Sequence, residues 1–301
     1  MTLEQLRIFV AIAERQHVTQ AARALNLAQS AASHAIAALE SRHDTKLFNR
    51  VGRRIELTEA GHVFLVEARA VLARAEAAEL ALSEFGSLTR GTLSVEASQT
   101  IGSYWLPRHL VAFRRAYPQI RIRLAIGNTA QVAGAVESGM AELGFVEGAV
   151  ESEHFASTPV ARDRLVVVVG PEHPWAGSGR LRRGDLTSSE WILRERGSGT
   201  RSVFENALSQ LGIEPGTLRI QLELPSNEAV RAAVEAGLGA TAISASVAAP
   251  SIEAGLLHKV DFALPEREFH VLRHRERYQS RAAEALLAMV ARSPAGSIHS
   301  D

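Results

Sequence analysis

Past residue 90, four short stretches share one plan. "SQT" (Ser98, Gln99, Thr100), "NT" (Asn128, Thr129), "GSGT" (with Ser198, Gly199 and Thr200) and "SN" (Ser226, Asn227) each follow an apolar run and precede a helical pattern. Backbone N–H groups at helix starts have no partner inside the helix, so several converging with hydroxyls and amides make an anion site. Arg194 and Arg201 flank the third stretch and supply guanidinium groups suited to a carboxylate or oxyanion. Glu147 ends the apolar run in "GFVEG" and is a candidate ligand contact or acid–base group. Taken singly, each Ser, Thr or Asn reads as an ordinary helix cap. A shared binding role needs something that brings the four together.

An internal repeat supplies it. "RIRLAIGNTAQVAGAVESG", from Arg121, aligns at an offset of 98 with "RIQLELPSNEAVRAAVEAG", from Arg219, matching Ile122 to Ile220, Val132 to Val230, Val136 to Val234 and Gly139 to Gly237. Each copy reads as strand, loop, helix, strand, and the same offset pairs "SQTIG" with "RGSGT" upstream. Alternating strands and helices imply parallel sheets, whose ligands sit beyond the carboxyl ends of the strands. Two such lobes facing each other form a cleft lined by all four loops. Crossings between the lobes are expected near Ala161–Arg164 and Leu264–Phe269, with "YQSRAAEALLAMVARS" returning to the first lobe as a closing helix.

A second set of candidate contacts lies near the N-terminus. "TQAARALNLAQSAASHAIAALE", residues 19 to 40, packs nine alanines into 22 positions and breaks at "NLAQS". Leu6, Phe9, Val10 and Ala13 fall at helical spacing, as do Val18, Ala21, Ala22 and Leu25. Thr19 suits the N-cap of the second helix and Asn26 its end. After the short connection, Ala32, Ile36 and Leu39 share one helical face, while Ser30, Ser33, His34 and Ala37 share the opposite one. Two helices joined by a short turn, then a basic segment able to form a hairpin, have the geometry of a winged helix-turn-helix, whose second helix enters the DNA major groove. A structural helical hairpin fits the periodicity equally well.

The residues themselves decide between these readings. From Leu6 to Gly61, "LRIFVAIAERQHVTQAARALNLAQSAASHAIAALESRHDTKLFNRVGRRIELTEAG" resembles, without a gap, the DNA-binding domain of the LysR-type transcriptional regulators. The resemblance implies that Gln29, Ser30, Ser33 and His34 face the groove, that Thr19 contacts a phosphate, and that Arg50, Arg53 and Arg54 sit in or near the wing. The sequence departs from the family pattern at Ala28 (often Ser), Ser30 (often Pro), Ala37 (often Arg or Lys) and Asp44 (usually Gly). The resemblance also implies a two-lobed effector domain related to solute-binding proteins, and "RERGSGTR" is similar to the "REPGSGTR" of members that sense small anionic metabolites, with Arg196 in place of Pro.

Between these parts, Phe64, Ala68, Val71, Ala75, Ala78, Leu82 and Phe85 alternate spacings of four and three, the seam of a pairing helix. An intramolecular amphipathic helix is the alternative, and the resemblance favours pairing. "GSLTRG" (86–91) would end this helix. The expected architecture is α/β multidomain: a winged helix-turn-helix over 1–62, a linker and dimerisation helix over 63–88, and a two-lobed α/β domain like a periplasmic binding protein over 89–301. Its lobe I covers about 91–162 and 268–292, and lobe II about 163–267.

Composition narrows the function classes. The chain has 301 residues and no cysteine, so disulfides, thiolate metal sites and thiol nucleophiles are excluded. Net charge is zero, yet "RHDTKLFNRVGRR" (42–54) holds six basic residues, counting His43, against one acid. The N-terminus lacks the pattern of a secretory signal and no apolar run approaches the ~18 residues that span a bilayer, so the expected location is the cytoplasm, with no membrane partner. "GLGATA" (237–242) follows a helix and opens a strand, the reverse of a dinucleotide site, and no GxxxxGK[ST], HExxH or GxSxG stretch occurs. Neither a cofactor nor a metal site is expected. The leading function is a DNA-binding regulator modulated by a small anionic effector. Its implied partners are double-stranded promoter DNA of partly palindromic sequence, the anionic metabolite, a second copy of the chain in a dimer or tetramer, and RNA polymerase as a further candidate. The competing readings are a solute-binding protein with an N-terminal helical interaction module, and an enzyme using the cleft, for which no catalytic constellation is visible.

Overall fold

The computed structural model describes residues 1–51, 54–83, 91–148 and 150–292, and divides into two compact units, Met1–Phe85 and Gly86–Asp301. The first unit opens with α1 (Leu3–Arg15), α2 (Val18–Ala24) and α3 (Gln29–His43). A hairpin of β1 (Phe48–Val51) and β2 (Arg54–Leu57) follows, paired antiparallel from Phe48 opposite Leu57 to Val51 opposite Arg54, and then α4 (Glu59–Ser83). Thr2 caps α1, accepting from Gln5 N while Gln5 Oε1 accepts from Thr2 N. α2 begins earlier than Thr19: the N-cap is His17, whose extended backbone lets its ring Nδ1 accept from Gln20 N at 3.4 Å. Starting there turns Val18 toward the cluster of Ile8, Ala21, Ala22 and Ala32 and leaves Thr19 half-buried inside the helix. Asn26 takes the left-handed backbone just past the helix end, as Asp44 does at the C-cap of α3.

Phe9 is fully buried, with the Phe48 and Phe64 rings at 5.4 and 4.8 Å, so the hairpin and α4 share one core with α1. This redefines the seam on α4. Phe64 and Ala68 are consumed inside their own unit, while Val71, Ala78 and Leu82 are exposed and Phe85 lies outside the described residues. Residues 86–90 of "GSLTRG" lie outside them as well.

The second unit runs β3 (Gly91–Ser98), a π-helical turn at Ile101–Trp105, α5 (Leu106–Ala116), β4 (Ile120–Gly127), α6 (Thr129–Ser138) and β5 (Leu143–Glu147). Next come β6 (Phe155–Val169), β7 (Glu190–Arg194), α7 (Gly199–Gln210), β8 (Arg219–Leu224), α8 (Asn227–Glu235) and β9 (Ala240–Ser244). α9 (Ala245–Glu253), β10 (His258–Lys259), β11 (Glu266–His274) and α10 (Arg281–Arg292) complete it. The strand order is β4-β3-β5-β11-β6-β9-β7-β8, with β10 on β6. β3 is parallel to β4 and β5, and β7 is parallel to β8 and β9, as helical crossovers require. β11 and β6 run antiparallel through the middle.

β6 is the hinge of this arrangement. It pairs β11 up to Arg164 and β9 from Leu165 onward, so one strand serves both halves. In its run of four valines, Val167 and Val169 join Trp191 and Phe204 on one side, and Val166 and Val168 join Ile192, Val230 and Ile243 on the other. A strand covered by helices on both faces has no polar side to alternate. The first half has its own core of Leu93, Ile101, Trp105, Phe113, Phe145 and Phe269, closed by Leu286 and Val290 of α10.

Candidate functional site

On the first unit, Gln29, Ser30, His34 and Ala37 stand exposed along α3 and Ser33 is half-buried, with Gln29 Nε2 donating to Ser33 Oγ at 2.9 Å. Ala32 and Leu39 are buried on the opposite face. Ala28 occupies the N-cap of α3 without a side-chain hydrogen bond, leaving the first N–H groups for another acceptor. Arg50 is exposed on β1, Arg54 stands on β2 opposite Val51, and Arg53 lies outside the described residues.

One residue of this surface is absent from the sequence reading. Glu40, on the buried side of α3, accepts from Leu47 N at 2.9 Å and Phe48 N at 3.3 Å and pairs with Lys46 Nζ at 2.6 Å, anchoring the hairpin to the helix. Burial alone would push its carboxyl up, but the Lys46 ammonium and the two backbone donors outweigh burial and hold it below the ordinary carboxylate range. A depressed carboxylate stabilises the fold above its unfolded pKa, and the contribution disappears as pH falls through the folded value. Glu40→Gln is expected to cost roughly 1–3 kcal/mol near neutral pH. It should raise hydrogen exchange at the Leu47 and Phe48 amides, and the difference from wild type should shrink in acid. Unchanged protection of both amides would show that Glu40 does not hold the hairpin.

On the second unit, all four loops meet where the strands of both halves end. Gln99 Nε2 donates to Pro225 O at 3.1 Å, and its Oε1 accepts from Asn227 N at 2.9 Å. Asn227 Nδ2 donates to Thr100 Oγ1 at 3.1 Å. On the other side, Asn128 Nδ2 donates to Glu195 Oε1 at 3.3 Å, Ala130 N to Gly197 O at 3.2 Å and Thr129 Oγ1 to Glu147 Oε2 at 3.3 Å. The ring closes through Arg194, whose Nη1 donates to Asn227 Oδ1 at 2.7 Å. Asn128 and Ser226 also cap their helices, accepting from Gln131 N and Ala229 N, whereas Ser198 makes no side-chain cap. Ser98 Oγ is buried without a hydrogen-bond partner among the described residues.

The two flanking arginines already have counter-charges inside the chain. Arg194 is held by both carboxylate oxygens of Glu195, at 3.1 and 2.9 Å, and Arg201 by Glu205 at 2.7 Å and Glu223 at 2.8 Å. Both are buried, and a buried cation needs a counter-charge close by; these glutamates provide it inside the chain. Arg194 and Arg201 therefore shape the loop walls first.

Sequence reasoning also missed Asp163 and Arg267. Arg267 donates through Nε to Asp163 Oδ2 at 2.7 Å and through Nη1 to Thr200 Oγ1 at 3.0 Å, while Ser244 Oγ donates to Asp163 Oδ1 at 2.8 Å. Both side chains are almost fully buried on the crossing strands, and the arginine links them to the start of α7. The available signal was a charged residue inside each segment expected to cross between the lobes.

Among the described residues no group of three or more His, Asp or Glu side chains converges as for a metal ion, and no helix is long and apolar enough to cross a membrane.

Two family models match. "Bacterial regulatory helix-turn-helix protein, lysR family" covers residues 3–62, and "LysR substrate binding domain" covers residues 86–295. A "Probable RuBisCO transcriptional regulator" of Cyanophora paradoxa is 36% identical over 287 residues, 94% of this chain and 89% of that protein. The Escherichia coli K12 "Uncharacterized HTH-type transcriptional regulator YeiE" is 36% identical over 289 residues, 95% of this chain and 96% of that protein. The crystal structure of CbnR, described as a LysR family transcriptional regulator, shares the fold with a TM-score of 0.73 at 24% identity, over 97% of this chain and 99% of that one. The CcmR regulatory domain of Synechocystis PCC6803, solved in complex with 2-PG, superposes with a TM-score of 0.61 at 26% identity, over 67% of this chain and 96% of that one. With the N-terminal helices and the two-lobed domain both matched, the chain belongs to the LysR family of helix-turn-helix transcriptional regulators.

Proposed function

We propose that the chain binds double-stranded promoter DNA through the exposed face of α3, as a paired reader of a partly palindromic site in the cytoplasm, and that a small anion held between the two lobes modulates this binding. The observation that carries the DNA reading is the division of α3. Ala32 and Leu39 face the core, while Gln29, Ser30, His34 and Ala37 are exposed on a helix whose first N–H groups no side chain caps. Small polar side chains let a helix approach base edges closely, and Ser, Gln and Ala each have base partners in the major groove. Arg50, Arg53 and Arg54 supply wing contacts to phosphate in this reading. The exposed Val71 and Leu82 of α4 support pairing with a second copy. The ring of four loops and the unpartnered Ser98 hydroxyl support the anion, and the complex of the CcmR domain with 2-PG supports a small ligand in a domain of this fold.

The decisive experiment is band-shift titration of the full chain over a range of salt. Affinity should fall linearly on a log–log plot, each phosphate contact adding about 0.9 to the slope. Ala37 is exposed and carries no charge, so Ala37→Arg should tighten binding and steepen the slope by about one contact. An unchanged slope means that position 37 does not face a phosphate. Salt-insensitive binding by the wild-type chain defeats the DNA reading altogether.

A further inference from the structure

Resting on the reading of the cleft as an anion site, we propose that it selects oxyanions that still carry an O–H group, and that Glu147 makes the selection. Three features of the cleft bear on this. α7 begins at the loop junction with Gly199 and Thr200, and Ser198 makes no side-chain cap for its first N–H groups. Such an end favours negative charge. Ser98 Oγ, on a residue only 1% exposed at the end of β3, next to the parallel strand β5 that ends at Glu147, has no hydrogen-bond partner among the described residues. An incoming acceptor would remove the penalty of that buried hydroxyl.

The third feature is the carboxylate. Glu147 is itself buried, and its Oε2 lies so close to the start of α7 that a Cβ placed on Gly199 would stand 2.9 Å from it. Its hydrogen bond from Thr129 Oγ1 is long, at 3.3 Å, and a carboxylate has about four acceptor positions. An oxyanion seated on the α7 N–H groups therefore has Glu147 as a neighbour. A fully ionised oxyanion sets negative oxygen against negative oxygen. One that retains an O–H donates it to Glu147 and turns the same contact into a charge-assisted hydrogen bond. Hydrogen phosphate, phosphate monoesters in their hydrogen form and hydroxy acids meet this requirement, and sulfate does not.

Phosphate and sulfate share shape and size, which makes them the probes. Trp105, Trp175 and Trp191 all lie in the second unit, so tryptophan fluorescence of the full chain reports the melting of that unit. At matched ionic strength near neutral pH, phosphate should raise the melting temperature, and sulfate should bind roughly tenfold more weakly or worse. Ser98→Ala should weaken phosphate. Glu147→Gln replaces the carboxylate with an amide that donates as well as accepts, so sulfate should gain and the preference collapse. Sulfate matching phosphate in the wild-type chain, which needs no variant, overturns the donor requirement but leaves the cleft standing. So does a phosphate-to-sulfate ratio that Glu147→Gln leaves unchanged. Stabilisation indifferent to Ser98→Ala, or absent with both anions, removes the cleft as an oxyanion site and with it the reading beneath.

Discussion

Arg267→Met is expected to destabilise the second unit by about 3–5 kcal/mol, because it leaves the Asp163 carboxylate buried without its cation. The two side chains are 1% and 2% exposed, so water cannot replace the lost partner, and Ser244 Oγ is the one neutral donor left on Asp163 in the described network. Methionine keeps most of the stem volume, which separates the charge effect from a cavity. The loss should appear as a lower midpoint in urea, followed by the fluorescence of the three tryptophans. Asp163→Asn combined with Arg267→Met should be closer to wild type than the sum of the two single changes, because neither partner is then left as an isolated charge. A single variant within 1 kcal/mol of wild type would mean that the pair is solvated in solution and does not fix the crossing strands. The pair matters for function because Arg267 also holds Thr200 at the start of α7.

Gly199→Ala should have the largest effect on the cleft itself. A Cβ there would lie 2.5 Å from Thr129 Oγ1 and 2.9 Å from both the backbone oxygen and Oε2 of Glu147. The hydroxyl can rotate away, but the backbone oxygen of β5 cannot, so α7 has to withdraw from the loops of the first half. Overpacking of this kind costs about 1–3 kcal/mol. Withdrawal should break the Ala130 N–H to Gly197 O hydrogen bond, exposing the Ala130 amide to exchange, and should abolish stabilisation by phosphate. The first unit, which carries α3, contains neither residue and should still bind DNA with the wild-type salt slope. Phosphate binding at wild-type strength in this variant would mean that the close approach of Gly199 to Thr129 and Glu147 is not part of the site.

The helices of the first unit were legible because local rules determine them. The spacing of Leu6, Phe9, Ala32 and Leu39 marks the faces that are buried, and Ser30, His34 and Ala37 fall on the face that is not. An error of position there, Thr19 for His17 as the cap of α2, came from favouring a hydroxyl where an imidazole nitrogen does the same work. The offset of 98 between β4–α6–β5 and β8–α8–β9 was legible for a similar reason: two copies of one local pattern need only be aligned.

Partners chosen across the fold were not legible. Asp163 and Arg267 are 104 positions apart and Gln99 and Asn227 are 128; the charges in the crossing segments and the repeat point to the segments that meet but not to which side chains pair. The charges of Arg194 and Arg201 are visible in the sequence, whereas the counter-charge of Glu223 reaches Arg201 only after β8 has paired with β7. The sequence by itself determined which segments become helices and strands, which faces they bury and which four loops end the strands. The tertiary structure alone decided which charges cancel, which buried hydroxyls are left without a partner among the described residues, Ser98 among them, and that a carboxylate stands at the start of α7. Burial removes water as the universal partner, and which groups then meet depends on strand register and crossover.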